Sequence, residues 1–556
     1  MGMSDNATGT TGTHILLARP STHQQWLGGG AWQLTVYNLT GEDRSIGKIE
    51  FEVSTQKVSN HTGGHVHQDS QHVTVALEEH KRKIPAHSST WVRIGVAGPV
   101  LPHPHGFQVD GTPADVPVYD APPNKPANLR VTRQSGRSVR LKWDPSTDEV
   151  AVIGYEVTLV GRPGVIEVVE PSAIIGHLEP EADYQAQVVA VNIAGRRSET
   201  TSLSFNSGKA SGERPAWDIP VMPFIDYAGT NTVGGGNPKI NAITPIAEAT
   251  GVRGASLGFI TVANADMEPC WGSVKGYDAI NGKHNREDVI AFKKLAPLSG
   301  RPVISLGGWI NHIPEYVVKD VEKVVGWYSA ILDAYGIDRV DFDIEGAAQN
   351  NPQFIERHIS IVYKLLEARP SLRVSYTLPV DAGGERRPVE VESPDDPHCP
   401  SDLVAGFNVY GKAFIQQLAE AGISPSLFNG MTMAMGNHDR PQGKEAIIAL
   451  RFMHRDVKKA FPHLTDAQVW ARLGACPMFG INDGGEFFKL DDMRRLIAFA
   501  KTVRLGCISG WDAQRDWNSN RDATGCKIGE GEIFKCTRAD QQPGDYLKIA
   551  ATYQEW

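Results

Sequence analysis

Asp338-Arg-Val-Asp-Phe-Asp-Ile-Glu345 is the stretch that decides how this chain is read. Asp341, Asp343 and Glu345 stand at every second position, so in an extended strand all three project from one face, while Val340, Phe342 and Ile344 make the other face apolar. A strand with such an apolar back packs against other structure, which turns its acids into a shared cavity rather than into bulk water. Carboxylates crowded together cannot all ionise, and burial penalises the charged form further. One carboxyl of the row is then kept protonated near neutral pH, as a general acid requires.

Outward from this stretch, the region from Asp218 to Trp556 alternates short apolar runs with longer helical ones. Ile219 to Ile225, Ala255 to Val262, Pro302 to Leu306, Arg339 to Glu345, Leu372 to Leu378, Gly430 to Met435, Ala471 to Pro477 and Leu505 to Trp511 read as eight strands. Amphipathic stretches such as Val321 to Leu332 and Phe354 to Leu366 lie between them. This alternation predicts a (β/α)8 TIM barrel over residues 216–556. Glu345 closes the fourth run and Gly346 turns the chain, which sets Glu345 at the C-terminal mouth, where such barrels carry their chemistry.

Two all-β sandwich domains are expected ahead of the barrel, making the chain multidomain. In residues 14–115, Trp32 to Tyr37, Ile49 to Val53, Val73 to Leu77 and Trp91 to Val96 alternate apolar and polar positions between turn residues. This domain is a possible carbohydrate-binding module, with Trp26, Trp32, Tyr37 and Trp91 either forming a sugar-stacking platform or filling the sandwich core; the frequency with which Trp is buried favours the core. His61, His65, His67 and His72 could bind a metal, but no Cys or dense acid set completes a coordination shell, and a polar loop is the preferred reading. After a Pro-rich connector, residues 122–206 carry strand-like runs at sandwich spacing, then a Gly/Ser/Lys linker.

Composition narrows the function further. The 556 residues are 41% hydrophobic and 21% charged with a net charge of -9, and no basic tract gives a nucleic-acid footprint. No apolar stretch is long enough to span a bilayer, and no basic segment followed by an apolar run marks a secretory signal at the start of the sequence. The six cysteines are too dispersed for a disulfide scaffold, although Cys526 and Cys536 could clip a C-terminal loop or remain free thiols. No cofactor and no metal are expected.

The stretch Asp338 to Glu345 resembles the Asp-x-x-Asp-x-Asp-x-Glu motif of glycoside hydrolase family 18, the chitinases and their relatives, and Ser305-Leu-Gly-Gly308 resembles that family's Ser-x-Gly-Gly signature. Ser375 to Pro379, Asn429 to Met433, Pro477 to Asp483 and Ser509 to Asp516 look like strands five to eight of the bacterial chitinase branch, so the resemblance spans the whole barrel region. Trp143, Tyr155, Leu178 to Tyr184 and Val191 to Gly195 resemble the fibronectin type III signature, with Tyr184 matching its tyrosine corner. The resemblance implies substrate-assisted, retaining hydrolysis of β-1,4-linked N-acetylglucosamine polymers, chitin or its oligosaccharides, outside the cell. Glu345 would be the acid and then the base, Asp343 would hold the substrate's acetamido group, and Asp341 would share a proton with Asp343. Trp511, Met433, Tyr376, Asp226, Phe224 and Trp271 would contact sugar. Asp338, Ser305, Gly307 and Gly308 would support the motif, the small residues keeping the barrel wall compact beneath the acids.

Ala434 stands where relatives commonly carry an aspartate, and Phe224 where they often carry a tyrosine; Asp226, Tyr227, Tyr376 or Asp439 could substitute for the lost groups. Between Asn482 and Leu505 there is no room for the α+β insertion of some relatives, which predicts an open cleft and internal cleavage. An endo-β-N-acetylglucosaminidase acting on N-glycans shares the acid motif and is the enzymatic alternative; a chitin-binding lectin with weakened catalysis is the non-enzymatic one.

Overall fold

The computed structural model describes residues 16–556 except 27–28, 39, 41, 87, 98–101, 115–120, 149–151, 210–213, 229–241, 296–299, 401–402, 437, 521–525, 530–531, 533–534 and 556. The chain divides into two compact units, the first holding residues up to 133, 140–173 and 182–206, the second residues 134–139, 174–181 and those from 207 on.

The first unit is β apart from one short helix, Glu79–Arg82. Leu16–Trp26, Gly29–Asn38, Ser89–Ala97 and Lys57–Thr62 pair in that order into one sheet, and Thr112–Pro113, His105–Val109, Lys48–Glu52, His72–Leu77 and Gly64–Asp69 into a second. Alternation along these strands buries Trp32, Leu34, Val36, Phe51, Val73, Val75, Val92 and Ile94 in one core. Two of the four aromatics read as either platform or core are placed by the structure. Trp32 lies inside the sandwich, and the Trp91 ring carries the Lys81 ammonium at 3.5 Å and the Arg93 guanidinium at 4.5 Å, so neither offers an open flat face. The side chains of Trp26 and His61 lie outside the described residues. His65 and His67 are exposed on Gly64–Asp69, His72 pairs with Glu52 at 2.7 Å, and among the described residues no group of three or more His, Cys, Asp or Glu side chains could hold a metal ion.

From residue 127 to 206 a three-stranded and a four-stranded sheet follow. Trp143 meets Tyr155 edge-on at 5.2 Å, and Tyr184, at the start of Asp183–Asn192, stacks on Phe205 at 5.8 Å.

The second unit is an eight-stranded parallel barrel. Its strands are β1 (Val221–Asp226), β2 (Gly254–Thr261), β3 (Arg301–Gly307), β4 (Arg339–Asp343), β5 (Arg373–Asp381), β6 (Leu427–Met431), β7 (Leu473–Ala475) and β8 (Cys507–Gly510). Each pairs with the next in parallel, and β8 closes onto β1. The strand ends differ from the sequence reading by up to four residues, and two of the differences bear on the site. β6 stops at Met431 because the Thr432 N–H turns back to the Gly430 carbonyl at 2.9 Å, and β4 stops at Asp343, which leaves Glu345 two residues beyond the strand.

Helices cover the outside of the ring. Val321–Tyr335 begins with Asp320, whose side chain accepts from the Lys323 N–H, and ends at Gly336 in the left-handed conformation. Its apolar residues at three- and four-residue spacing, Val324, Trp327, Tyr328, Ile331, Leu332 and Tyr335, are buried in the barrel's outer core. Phe342 and Val340 point into the same core from β4, fully buried. Directly behind β4 lies a closed polar chain. The Tyr328 hydroxyl donates to Glu315, Glu315 Oε1 meets His358 Nδ1 at 2.7 Å, and His358 Nε2 meets the Tyr376 hydroxyl at 2.9 Å. Phe342 stands edge-on to His358 at 4.7 Å and stacks on Tyr376 at 5.5 Å.

Candidate active site

The inner face of the barrel is polar at the level of the acids, where such barrels are usually filled by branched aliphatics. Asp341 is fully buried and accepts hydrogen bonds from three hydroxyls, Ser305 Oγ at 2.8 Å on β3 and Ser375 Oγ at 2.5 Å and Thr377 Oγ1 at 2.9 Å on β5. Thr377 Oγ1 in turn accepts from Asn429 Nδ2 on β6 at 3.1 Å. Register explains the convergence: Ser305 pairs with Asp341 across β3–β4 and Asp341 with Ser375 across β4–β5, so all three side chains share one face. Burial raises Asp341 above the usual carboxylate range, and the Ser375, Ser305 and Thr377 hydroxyls oppose that rise by stabilising its anion.

Asp343 meets different surroundings. It is 5% exposed, and its Oδ1 has no hydrogen-bond partner. Burial pushes it well above the carboxylate range, and the like charges of Glu345 and then Asp341 push the same way. No hydrogen bond joins Asp341 to Asp343; hydroxyls occupy the Asp341 carboxylate instead. Glu345, at the mouth, is pushed up to about 7 by burial and then by the charge of Asp483.

Asp343 and Glu345 open into a cleft of about 620 Å³ together with Phe224, Asp226, Met433, Ala434, Asp483 and Trp511. Trp511 forms an aromatic floor with Phe259 stacked at 5.7 Å and Phe224 tilted at 6.0 Å. Asp226 is buried, with Oδ1 accepting from the Ala228 N–H at 3.0 Å and its backbone clamped by the Gln514 amide. Gly307 lies at φ +108° with β4 pressed against it, and a Cβ there would come within 2.1 Å of the Asp343 carbonyl oxygen. Gly308 lies at φ +83° against the Phe259 ring.

Three sequence expectations need correction. Tyr376 is fully buried on the outer side of β5, bonded to His358, because alternation gives the inner face to Ser375 and Thr377. Trp271 is fully buried with its Nε1–H donated to the Tyr335 hydroxyl at 2.8 Å, packed against Tyr227 outside the cleft; its neighbour Gly272 is what reaches the lining. Asp338 lies at the opposite end of β4, exposed and paired with Arg339. Of the proposed substitutes for the acid missing at Ala434, Tyr227 bonds Asp288 at 2.5 Å and Asp439 is exposed outside the cleft lining, which leaves Asp226.

The cleft also contains residues the sequence reading passed over. Trp309 is 78% exposed and Ile310 54% exposed at the rim, and Phe259, Thr377, Cys476 and Asp483 line the cavity. The signals were present: Trp309 follows the Ser305-Leu-Gly-Gly308 motif directly, Thr377 alternates with Ser375, and Asp483 ends the quoted run from Pro477. A two-stranded hairpin, Gly480–Ile481 with Phe487–Phe488, and the helix Leu490–Val503 fill the interval between β7 and β8, with no added domain. Cys526 and Cys536 form a disulfide.

Residues 124–206 match the fibronectin type III domain family. The chain is 28% identical over 320 residues to the probable bifunctional chitinase/lysozyme of Escherichia coli (strain K12), a match covering 54% of this chain and 32% of that protein. It is 28% identical over 319 residues to endochitinase 11 of Metarhizium anisopliae, covering 54% of each. These matches span from about a third to about half of the relatives' own length. The catalytic domain of a hyperthermophilic chitinase from Pyrococcus furiosus aligns with a TM-score of 0.48 at 21% identity, over 62% of this chain and 97% of that one. The chain joins a segment matching the fibronectin type III domain family to an eight-stranded barrel, and over 54% of its length it is similar in sequence to these chitinases.

Proposed function

We propose that this chain hydrolyses β-1,4 linkages between N-acetylglucosamine units, with retention of configuration and with the substrate's own acetamido oxygen as nucleophile. The observation that carries the reading is a carboxyl raised to about 7, Glu345, sharing a cleft with a buried carboxyl, Asp343, that has an unpartnered Oδ1, and with the aromatic floor of Trp511. A protonated Glu345 donates to the glycosidic oxygen as the bond to the anomeric carbon breaks. The acetamido carbonyl oxygen closes onto that carbon, and the acetamido N–H donates to Asp343 Oδ1, which stabilises the positive charge of the oxazolinium. Glu345, now ionised, takes a proton from water as water opens the ring, and it returns to its starting state. Asp341, its carboxyl held by three hydroxyls, supports Asp343 from beneath. Trp511 offers the apolar face of a pyranose a flat surface. Every proton in the sequence is handled by these side chains and the substrate, without a metal or organic cofactor.

Internal cleavage of long chains is the preferred mode, supported by a cleft that carries no added domain between β7 and β8. Action outside the cell is supported by the Cys526–Cys536 disulfide, since such bonds persist in oxidising surroundings.

The test is hydrolysis of chitin oligosaccharides of two to six units, followed by mass, for wild type and Glu345→Gln. Loss of the general acid lowers turnover by about 10²–10⁴-fold while oligosaccharide binding persists. Equal turnover by the two proteins overturns the assignment. A glycoprotein substrate run in parallel separates chitin cleavage from release of N-glycans, and products longer than the disaccharide from the middle of a hexasaccharide identify internal cleavage.

A further inference from the structure

The hairpin between β7 and the helix Leu490–Val503 is fastened on every side. Asn482 Oδ1 accepts the Ala434 N–H at 3.0 Å, and its Nδ2 donates to the Met478 and Gly480 carbonyls. Glu486 Oε1 accepts the Gly436 N–H at 2.7 Å. From beneath, the fully buried Arg515 donates to the Phe479 and Ile481 carbonyls at 2.8 and 2.9 Å, and the Ile481 N–H bonds the Thr537 carbonyl at 3.0 Å. Ala434 itself sits at φ +49°, a conformation that a non-glycine residue keeps only when its surroundings impose it.

At the turn of this fixed hairpin Asp483 is exposed to the same cleft as Glu345, and no hydrogen bond engages its carboxylate among the described residues. We infer that Asp483 is a positioning residue of the reaction, a fixed negative charge facing the cleft that keeps the leaving-group proton on Glu345. It supplies from β7 a carboxylate that β6, with Ala434, does not carry.

Other groups bearing on Glu345 can be assigned in turn. From its own segment come Asp343 and, below it, Asp341; from β1, the buried Asp226; from β7, the Cys476 thiol, which burial pushes up and holds neutral. Beyond β8, Asp512 is raised to about 7 and is thus largely neutral at acidic pH, while Arg515 is turned toward carbonyls of the hairpin. No lysine, arginine or histidine lines the cleft among the described residues. Burial, and then Glu486, raise Asp483 above the usual carboxylate range, and Arg515 opposes that rise by favouring its ionised form. Ionised Asp483 then raises Glu345 after burial has done so.

The inference rests on the reading of Glu345 as the acid, and the experiment separates the two. The pH dependence of kcat/KM is recorded for wild type, Asp483→Asn and Asp483→Glu, with Glu345→Gln as the reference for the acid. Removing the charge lets Glu345 ionise earlier, so the alkaline limb moves to lower pH in Asp483→Asn. The activity ratio between about pH 8 and about pH 5 falls by roughly three- to tenfold, as a shift of about half to one unit gives. Asp483→Glu keeps the limb near its wild-type position. An unmoved limb, or loss of activity at every pH in a folded Asp483→Asn protein, overturns the inference and leaves Glu345 untouched. Titration of the Glu345 carboxyl, read as the infrared difference between each protein and its Glu345→Gln counterpart, gives the same comparison without turnover, and an unchanged midpoint there also overturns it.

Discussion

Asp341 and Asp343 stand two residues apart on one strand yet meet opposite surroundings, and the difference is set by which neighbours donate. Three hydroxyls satisfy Asp341, while Asp343 keeps an unpartnered oxygen in the cleft. Asp341→Ala leaves Ser305, Ser375 and Thr377 with donors aimed at a vacated site and removes the hydrogen-bonded carboxyl beneath Asp343. A drop in kcat of at least tenfold, or about 1.4 kcal/mol, with smaller change in KM is expected from steady-state kinetics on a chromogenic chitobioside. Glu345 gives the pH dependence its sign. In the proposed reaction its acid form is the active one in the first step, so activity is expected to fall as pH rises through about 7 and to be retained below. A rate that keeps climbing beyond pH 8 would contradict this. The carboxyl row and its alternation were legible in the sequence because a period of two needs no partner to be seen. The donors around Asp341 were not, since Ser305, Ser375 and Thr377 become its neighbours only through strand pairing.

At the scale of the element, β4 is held from both faces. On the inner side Gly307 leaves room for the Asp343 backbone; Gly307→Ala forces a Cβ to within 2.1 Å of the Asp343 carbonyl oxygen at a φ of +108°. The expected result is a protein that melts at lower temperature and loses turnover together, read by thermal unfolding and oligosaccharide hydrolysis. On the outer side Phe342 rests on His358 and Tyr376, and the polar chain runs on from His358 through the buried Glu315 to Tyr328. Glu315→Ala strips partners from His358 and the Tyr328 hydroxyl inside the core. Breaking a buried pair of this kind costs about 3–5 kcal/mol, seen as a large fall in the barrel's melting transition; a change of under a degree would exclude the network as a support. Tyr376 illustrates why sequence reading misplaced it. A tyrosine next to a motif position is equally compatible with either face of a strand, and only the register with β4 turns it outward.

At the scale of the whole molecule, the barrel stores neutral acids below its mouth. Asp512 and Asp516 are buried and raised to about 7, although backbone N–H groups bond both and the Gln541 amide also bonds Asp516. Their folded values exceed the unfolded ones, so their contribution is fully present below about pH 4 and is lost as pH rises through about 7. Each is worth on the order of a few kcal/mol. Other acids pull the other way at low pH, which leaves a stability maximum on the acidic side of neutrality. The melting temperature is therefore expected to fall between about pH 5.5 and about pH 8, with Asp516→Asn flattening the fall; a rise over that interval would refute the assignment. The C-terminal helix Asp545–Gln554 is tied to this acid through the Tyr546 and Leu547 N–H groups, so the fall should be accompanied by early loss of that helix.

While the fibronectin type III assignment came from the resemblance of particular residues, sequence alone determined the eight-strand alternation and the sandwiches ahead of it, because hydrophobic period and turn spacing are local properties. It also placed three carboxyls on one face and one of them at the barrel mouth. Tertiary structure alone decided which side chains share the cleft. Closure of the ring brings Asp483 from the β7 hairpin, Trp511 from beyond β8 and Trp309 from beyond β3 into the cleft with Glu345, across separations that no local pattern encodes. The same closure sends Trp271 and Tyr376 into the outer core, since strand pairing assigns each side chain a face and close packing of the helices fills the other.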